Sequence, residues 1–338
     1  MLSKSNSRTL LILTALLITV SFAGCRSADR GVKEESLTGS FTELLPAGRV
    51  FTNDLAAIGE FSVRSAYLFD GEILVQDMNG ALISLDRRNL DPKWSYRGLE
   101  GVLEQPPGAT PISILLISEG LLHEVERRYG NELHKFDLGF VASAGPAGTD
   151  STAYLPSLGG VEGNRTLITM NLANGLEGWG LSTRGAIGAA PVVGGSAGRP
   201  MVYFVTEKGG IYAVPAASSM GPQPELSWSR SAYGRIVSDP VLYEDSLLVG
   251  AESGELWSIN RVTGTVEWIH YSGKPIVKSA WASGNHAYFV NPDGFHALDR
   301  GDAESVGGVK LWTYEGQGEF IVRRPEAVYV HLGEGLVA

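Results

Sequence analysis

The sequence has little cysteine and a deficit of basic residues. Cys25 is the single cysteine among 338 residues, which excludes an internal disulfide framework and any zinc site built from several cysteines. The 27 lysines and arginines are outnumbered by 37 aspartates and glutamates, giving a formal net charge of −10. A net acidic chain lacks the basic footprint of nucleic-acid-binding proteins, so we predict no nucleic-acid partner. Charged residues make up only 19% and hydrophobic residues 43%, a composition that excludes a disordered chain.

The N-terminal apolar run is too short to cross a membrane comfortably. It covers residues 10–20, against the roughly 20 residues that a spanning helix needs. Lys4 and Arg8 precede it, and the small-residue stretch 21–25 follows, which is the layout of a secretory signal. We therefore predict that residues 1–24 are a signal peptide.

The end of this signal, Ser-Phe-Ala-Gly-Cys at 21–25, resembles the lipobox of bacterial lipoproteins, with Phe22 where that family usually has leucine. The resemblance implies that Cys25 becomes the lipidated N-terminus. The polar and charged residues that follow predict that residues 25–45 are the lipidated cysteine and a flexible tether. Arg26 follows in place of the aspartate that signals inner-membrane retention, which implies an outer-membrane lipoprotein, expected to face the periplasm. The alternative is an ordinary signal peptide with an incidental cysteine.

The remaining chain repeats one pattern of short β-type segments. The stretches 251–268 and 76–94 each contain a turn, a glycine, an alternating apolar segment, an Asp or Asn, a second turn and a tryptophan. Alternation with frequent turn signals predicts four antiparallel strands per unit. A marker of the outermost strand recurs at a period of about 40–50 residues, which is typical of a β-propeller. The markers are Trp94, His134, Trp179, Trp228, Trp268 and Trp312.

The two ends of the chain predict how the ring closes. Strand-like segments at 327–331 and 333–338 form most of a seventh unit without its outer strand, and residues 47–52 resemble the missing strand. We therefore predict an all-β, seven-bladed propeller of four-stranded antiparallel blades over residues 46–338. In this prediction the N-terminal strand completes the last blade and removes exposed sheet edges.

The segment 258–268, Ser-Ile-Asn-Arg-Val-Thr-Gly-Thr-Val-Glu-Trp, resembles the PQQ-like repeat of quinoprotein dehydrogenases and BamB-type envelope lipoproteins. In that family the motif docks one blade on the next, so the resemblance implies a structural role and does not imply a bound quinone. Both relatives usually have eight blades, whereas seven are predicted here. We expect no cofactor and no metal.

The sequence offers no persuasive catalytic constellation. The pattern Gly-x-Ser-x-Gly at 194–198 resembles a nucleophile elbow, but a strand follows it directly where that motif needs a helix, so we predict a loop between two strands. The six histidines do not form a His-x-His or His-Glu-x-x-His pattern. The segment 77–80 resembles the start of a calcium loop without its later ligands, which favours a hairpin turn.

A carboxylate occurs in the turn between the second and third strands of every predicted unit. Equivalent turns of a propeller lie on one face, so these residues are predicted to form an acidic rim that binds a partner protein. They are Asp77, Glu119, Glu162, Glu207, Glu252, Asp293 and Glu334. The following turns are basic in several units, at Arg87, Arg88, Arg127, Arg128, Arg261 and Arg300, and are expected on the opposite face. The alternative is that turns simply favour polar residues.

Two functions of different classes follow from these features. The first is a non-catalytic, lipid-anchored scaffold that binds other envelope proteins, and the resemblance makes the β-barrel assembly machinery of the outer membrane its concrete partner. The second is a quinoprotein-related enzyme or small-molecule binder that uses the central channel of the propeller, because the fold alone does not decide between them.

Overall fold

The structure, a computed structural model, describes a chain built of β-strands. The described residues are 48–50, 63–69, 72–86, 91–159, 165–196, 199–301, 305–315, 318–323, 328–332 and 335–337. The predicted signal peptide and tether, with Cys25, lie outside them. In the described ranges every regular element is a strand, and the strands form seven antiparallel sheets, which confirms the all-β class. None of the residues described forms a helix long and apolar enough to cross a membrane.

One compact unit comprises the described residues up to Ser95 and from Gly316 onward, which form the last sheet and the first sheet apart from its final residue, Tyr96. Sheet 1 consists of β1 (Gly48–Val50), β2 (Val63–Phe69), β3 (Glu72–Asp77), β4 (Leu82–Asp86) and β5 (Pro92–Tyr96). Sheet 7 consists of β26 (Gly318–Arg323), β27 (Val328–Leu332) and β28 (Gly335–Val337).

The second compact unit spans Tyr96–Glu315 and contains five sheets of four strands each. Sheet 2 consists of β6 (Gly108–Ala109), β7 (Ser113–Ser118), β8 (Leu121–Glu126) and β9 (Glu132–Asp137). Sheet 3 consists of β10 (Ala147–Gly148), β11 (Thr152–Pro156), β12 (Leu167–Asn171) and β13 (Glu177–Leu181). Sheet 4 consists of β14 (Val192–Ser196), β15 (Arg199–Val205), β16 (Gly210–Pro215) and β17 (Trp228–Ser231). Sheet 5 consists of β18 (Val241–Tyr243), β19 (Ser246–Gly250), β20 (Glu255–Asn260) and β21 (Val266–Tyr271). Sheet 6 consists of β22 (Trp281–Ser283), β23 (His286–Asn291), β24 (Gly294–Asp299) and β25 (Val309–Tyr314).

Within each four-stranded sheet the strands lie side by side in chain order. The first strands of successive sheets contact one another. In the second unit β6 contacts β10, which contacts β14, then β18, then β22. The second strands β7 and β19 are buried along their whole length. The two sides of β19 are covered by the cores toward sheets 4 and 6. The last strand β9 alternates between exposed and half-buried positions, as an outer strand should.

The hydrophobic core lies between successive sheets. One cluster joins Tyr203 and Trp228 of sheet 4 to Val249 and Trp257 of sheet 5. A second joins Leu248 and Leu256 of sheet 5 to residues of sheet 6, and others fill the spaces between sheets 2 and 3 and between sheets 3 and 4. The pattern is that of face-to-face sheet packing repeated along the chain.

Tryptophans of the last strands dock sheets 3, 4 and 5 onto the sheets that follow them. The indole Nε1 of Trp228 donates to the carbonyl of Arg261 at 3.0 Å, and that of Trp268 donates to the carbonyl of Arg300 at 2.9 Å. Each acceptor is in the turn before the last strand of the following sheet. A glycine there lets the backbone approach the ring, since a Cβ at Gly264 would lie only 2.5 Å from Cγ of Trp228. The predicted structural role of the repeat motif is thus observed.

All six predicted markers lie on the last strand of their sheet, but His134 does not make the docking contact. In sheet 2 that contact is made by Phe136, whose ring would collide with a Cβ at Gly175 of sheet 3. His134 stacks on Phe136, and its Nδ1 lies 2.9 Å from the carboxylate of Glu124. The docking aromatic ring is therefore Phe136, two residues after the predicted marker and on the same side of the strand.

The predicted closure by the N-terminal strand is wrong for Gly48–Val50. This segment, β1, pairs with β2, so that Gly48 lies opposite Leu68 and Val50 opposite Ala66. Sheet 1 therefore has five strands and sheet 7 has three in the described residues. Pairing with a neighbour in sequence closes a far shorter loop than pairing with the C-terminus, so it costs less chain entropy. The arrangement of the seven sheets as a seven-bladed ring stays a prediction.

The docking geometry predicts a large stability difference between two glycine substitutions. Gly264→Ala places a methyl group against Trp228 at a positive φ of 68°, so we expect a loss of about 2–5 kcal/mol. Gly120→Ala has a similar φ of 72° but nothing within 4 Å, so only the backbone cost of about 1–2 kcal/mol applies. Urea unfolding of both variants measures the difference, and equal losses would contradict the docking role of Gly264.

Candidate functional site

Five of the seven predicted rim carboxylates lie in the described residues, and Glu162 and Glu334 lie outside them. All five are at the turn between two consecutive central strands of their sheet. They are Asp77 at β3–β4, Glu119 at β7–β8, Glu207 at β15–β16, Glu252 at β19–β20 and Asp293 at β23–β24. We refer to this side of the sheets as the carboxylate edge.

Asp77 uses its carboxylate within its own hairpin. Oδ1 accepts hydrogen bonds from the backbone N–H groups of Asn79 at 2.9 Å and Ala81 at 2.8 Å. The residue is 8% exposed. The segment 77–80 is thus the predicted hairpin turn, and Asp77 stabilises it from inside.

Glu119 and Asp293 point their charge toward solvent. Glu119 is exposed, with a positive φ of 51°, and the connection from sheet 1 to sheet 2 lies against it. In that connection Glu104 accepts a hydrogen bond from the N–H of Gly120 at 3.0 Å. Asp293 is also exposed, and its backbone N–H donates to Oδ1 of Asn291 at 2.9 Å.

Glu207 and Glu252 are brought together by one arginine. Arg235 lies in the connection between sheets 4 and 5, and its guanidinium is 3.2 Å from Glu207 and 3.7 Å from Glu252. The backbone N–H of Glu252 also donates to the carbonyl of Arg235 at 2.8 Å. Two carboxylates from successive sheets are therefore neighbours, as the rim prediction requires, but a cation that sequence reasoning did not assign lies between them.

The opposite edge carries predicted arginines together with their own counter-ions. Arg261 lies 3.2 Å from Asp245, and Arg300 donates to Glu244 at 2.9 Å. Both acids belong to the turn between β18 and β19. The guanidinium of Arg300 also lies 4.5 Å from the ring centre of Tyr243. Arg127 and Arg128 are likewise in the β8–β9 turn, whereas Arg87 and Arg88 lie outside the described residues.

Exposed aromatic and aliphatic side chains were not predicted at the carboxylate edge. Tyr233 is 91% exposed in the connection between β17 and β18, and Tyr271 is 66% exposed at the end of β21. Val141 and Val277 are exposed in other connections of the same edge. A tyrosine between small turn residues has no pattern that distinguishes it from a core tyrosine, so only the structure finds it. Exposed tyrosines are frequent anchors of protein interfaces.

The Gly-x-Ser-x-Gly pattern is in a hairpin, as predicted. β14 ends at Ser196 and β15 begins at Arg199, which pair with each other in the ladder. The two residues between them lie outside the described part. In the described residues, no group of three or more His, Cys, Asp or Glu side chains is arranged to hold a metal ion.

A polar cluster joins the buried Tyr96 and His123 to Glu132, which is exposed. Nδ1 of His123 lies 2.9 Å from the hydroxyl of Tyr96 and 3.3 Å from Glu132, and the hydroxyl itself donates to Glu132. Because that hydroxyl has used its proton, the imidazole proton is on Nδ1. Burial lowers the pKa of His123 and raises that of Tyr96. The cluster therefore holds a neutral imidazole.

His296 of sheet 6 is held neutral in the same way. Its Nε2 lies 2.7 Å from Oδ1 of Asn291, and its Nδ1 lies 3.0 Å from the hydroxyl of Thr313. Burial, followed by the nearby Lys310 and His270, lowers the pKa of His296 to about 4. Burial also lowers the pKa of His270, whose Nδ1 is 3.0 Å from the carbonyl of Gly308.

These histidines predict a loss of stability in acid. An imidazole whose folded pKa lies below its unfolded value of about 6.5 binds fewer protons when folded, so stability falls as the pH drops from about 6.5. For His296 the loss is complete near its folded pKa of about 4 and amounts to about 3 kcal/mol.

We expect His296→Gln, which is uncharged at every pH, to flatten this part of the stability–pH curve in urea unfolding between pH 7.5 and pH 4. His134→Gln, at a half-exposed imidazole, is the control. An unchanged slope in the His296 variant would show that this imidazole is not the titrating group.

Comparisons with known proteins identify the fold. No family model matches the sequence, and no curated protein is significantly similar to it. Among solved structures, BamB from Moraxella catarrhalis is similar with a TM-score of 0.54 and 15% identity, over 79% of this chain and 80% of that one. The computationally designed Ika8 protein is similar with a TM-score of 0.58 and 10% identity, over 81% of each chain. The chain is therefore a β-propeller with a fold like that of BamB.

Proposed function

We propose that this protein is a non-catalytic scaffold of the cell envelope, anchored by a lipid on Cys25 to the periplasmic side of the outer membrane. Its partners in this proposal are proteins that assemble β-barrels into that membrane. The observation that carries the proposal is the similarity to the BamB fold over 79% of the chain. The lipobox-like end of the signal sequence, at the only cysteine, supports it independently.

The architecture supports a scaffold because it leaves turns and connections as the main accessible surface. In sheet 5 the neighbouring sheets bury both sides of the central strands, so these strands cannot bind a partner without unfolding. We propose that the seven sheets form seven blades and that the carboxylate edge is the partner-binding face. Glu119 and Asp293 are exposed there, and Arg235 pairs with Glu207 and Glu252. Charges at such an edge orient an incoming protein and raise its association rate.

The first test concerns the anchor. Cys25→Ala removes the acceptor of the lipid, so we expect the protein to move from the membrane to the soluble periplasmic fraction and to lose incorporation of labelled palmitate. Phe22→Leu, which supplies the residue usual in a lipobox, is the matched control and should stay lipidated. A Cys25→Ala variant that remains in the outer membrane would contradict the anchoring proposal.

The second test concerns the partner. We expect gentle detergent extraction of the tagged, full-length protein from its native envelope to recover β-barrel assembly proteins in stoichiometric amounts, detected by mass spectrometry. The absorption spectrum of the same sample tests the alternative function. A protein that is recovered alone, with a quinone or another small molecule bound, would contradict the scaffold and support a ligand site in the central channel.

A further inference from the structure

Two exposed tyrosines border a buried carboxylate at the junction of sheets 4 and 5. Glu255 is the first residue of β20 and is only 3% exposed. Tyr271 is directly opposite Glu255 in the ladder between β20 and β21, so their side chains lie on the same side of the sheet. The backbone N–H of Tyr233, in the connection from sheet 4, points at the same carboxylate over 3.5 Å. We refer to Tyr233, Glu255 and Tyr271 as the tyrosine–glutamate patch.

The carboxylate of Glu255 is fixed in place. Its Oε2 accepts a hydrogen bond from Nε1 of Trp257 at 2.9 Å, and Trp257 belongs to the core between sheets 4 and 5. A carboxylate that is held by the core loses no further conformational entropy when it binds a ligand. The two tyrosine rings, in contrast, extend into solvent.

The patch has no cation of its own among the described residues. The nearest arginine along the chain, Arg235, pairs with Glu207 and Glu252, and none of the ion pairs in the described part involves Glu255. Tyrosines of the opposite edge differ in this respect. Arg128 lies 5.1 Å from the ring centre of Tyr129, and Arg300 lies 4.5 Å from that of Tyr243. The chain therefore pairs tyrosines with guanidinium groups at one edge and presents unpaired rings beside a carboxylate at the other.

We propose that the tyrosine–glutamate patch receives a lysine or arginine side chain of the partner protein. The proposal rests on the proposed scaffold function and names the chemistry of its partner. A cation that contacts an exposed tyrosine ring of the patch gains cation–π attraction, and its charge-assisted hydrogen bond to Glu255 is strengthened because the carboxylate is shielded from water. Tyrosine and arginine are also residues that dominate binding energy at protein interfaces. The net charge of −10 further favours a basic partner surface.

The direct test uses the full-length protein in detergent with isotope-labelled tyrosine rings. The probes are the peptides acetyl-Gly-Arg-Gly-amide and acetyl-Gly-citrulline-Gly-amide, which have almost the same shape but differ in charge. We expect the arginine peptide to shift the NMR signals of Tyr233 and Tyr271 saturably and the citrulline peptide to leave them unchanged. Tyr233→Ala and Tyr271→Ala assign the two signals. Tyr129→Ala removes a tyrosine of the opposite edge and should leave the binding of the arginine peptide unchanged.

Glu255→Gln tests the charge without removing the bond to Trp257, because the amide oxygen still accepts from the indole. We expect about tenfold weaker binding of the arginine peptide or more, the range of a shielded charge pair with cation–π support. Thermal unfolding of each variant verifies that it folds, and Tyr271→Ala, which leaves Glu255 in place, gives an independent reduction. Equal binding of both peptides, or equal binding by wild type and Glu255→Gln, would overturn the proposal.

Photo-crosslinking in the native envelope separates this proposal from the scaffold function. A benzoylphenylalanine at position 233 should crosslink to a basic segment of the partner, and one at position 129 should not. If β-barrel assembly proteins co-purify with Glu255→Gln as well as with wild type, the scaffold stands and the patch is overturned. If Glu255→Gln weakens capture of a partner that has no role in barrel assembly, the patch stands and the proposed function is overturned.

Discussion

The structure depends on a hydrogen bond between neighbouring sheets, from an indole of one sheet to a backbone carbonyl of the next. An indole N–H on a last strand donates to a carbonyl in the following sheet, as Trp228 and Trp268 do, and a glycine such as Gly264 admits the ring. This contact covers the outer end of each intersheet core, whose inner part is filled by the central strands. The sheets are therefore stabilised by their neighbours rather than one by one, as in other repeat proteins.

The repeated part of the fold could be predicted from the sequence because its signals are local. Glycine turns, alternating apolar segments and spaced tryptophans each act within a few residues, and all six markers lie on last strands. Long-range choices could not be predicted. The pairing of β1 with β2, the replacement of His134 by Phe136 in docking, and the bridge from Arg235 to Glu207 and Glu252 depend on which segments meet in space. Loop residues show no periodicity, so the sequence carries no pattern from which these long-range contacts could be predicted.

The net negative charge is distributed rather than concentrated in a continuous ring in the second unit. Arginines at both edges form ion pairs within the chain. Arg235 pairs with Glu207 and Glu252 at the carboxylate edge. At the opposite edge Arg261 pairs with Asp245 and Arg300 with Glu244. The buried Glu124 and the exposed Glu267 both accept hydrogen bonds from serines of their own sheets. Glu255 differs because its carboxylate accepts from an indole and its neighbours Tyr233 and Tyr271 are exposed. The local setting of one carboxylate thus matters more for recognition than the total charge does.

The indole contact has a direction, since sheets 3, 4 and 5 each donate to the sheet that follows. Sheet 5 shows both roles, because it accepts from Trp228 through Arg261 and donates through Trp268 to Arg300. A sheet of this kind carries both the donor indole for one junction and the acceptor carbonyl for the other. Duplication or loss of such a sheet in evolution would therefore leave an indole donor facing a carbonyl acceptor at the new junction. The number of blades in such proteins can thus change without a new type of contact.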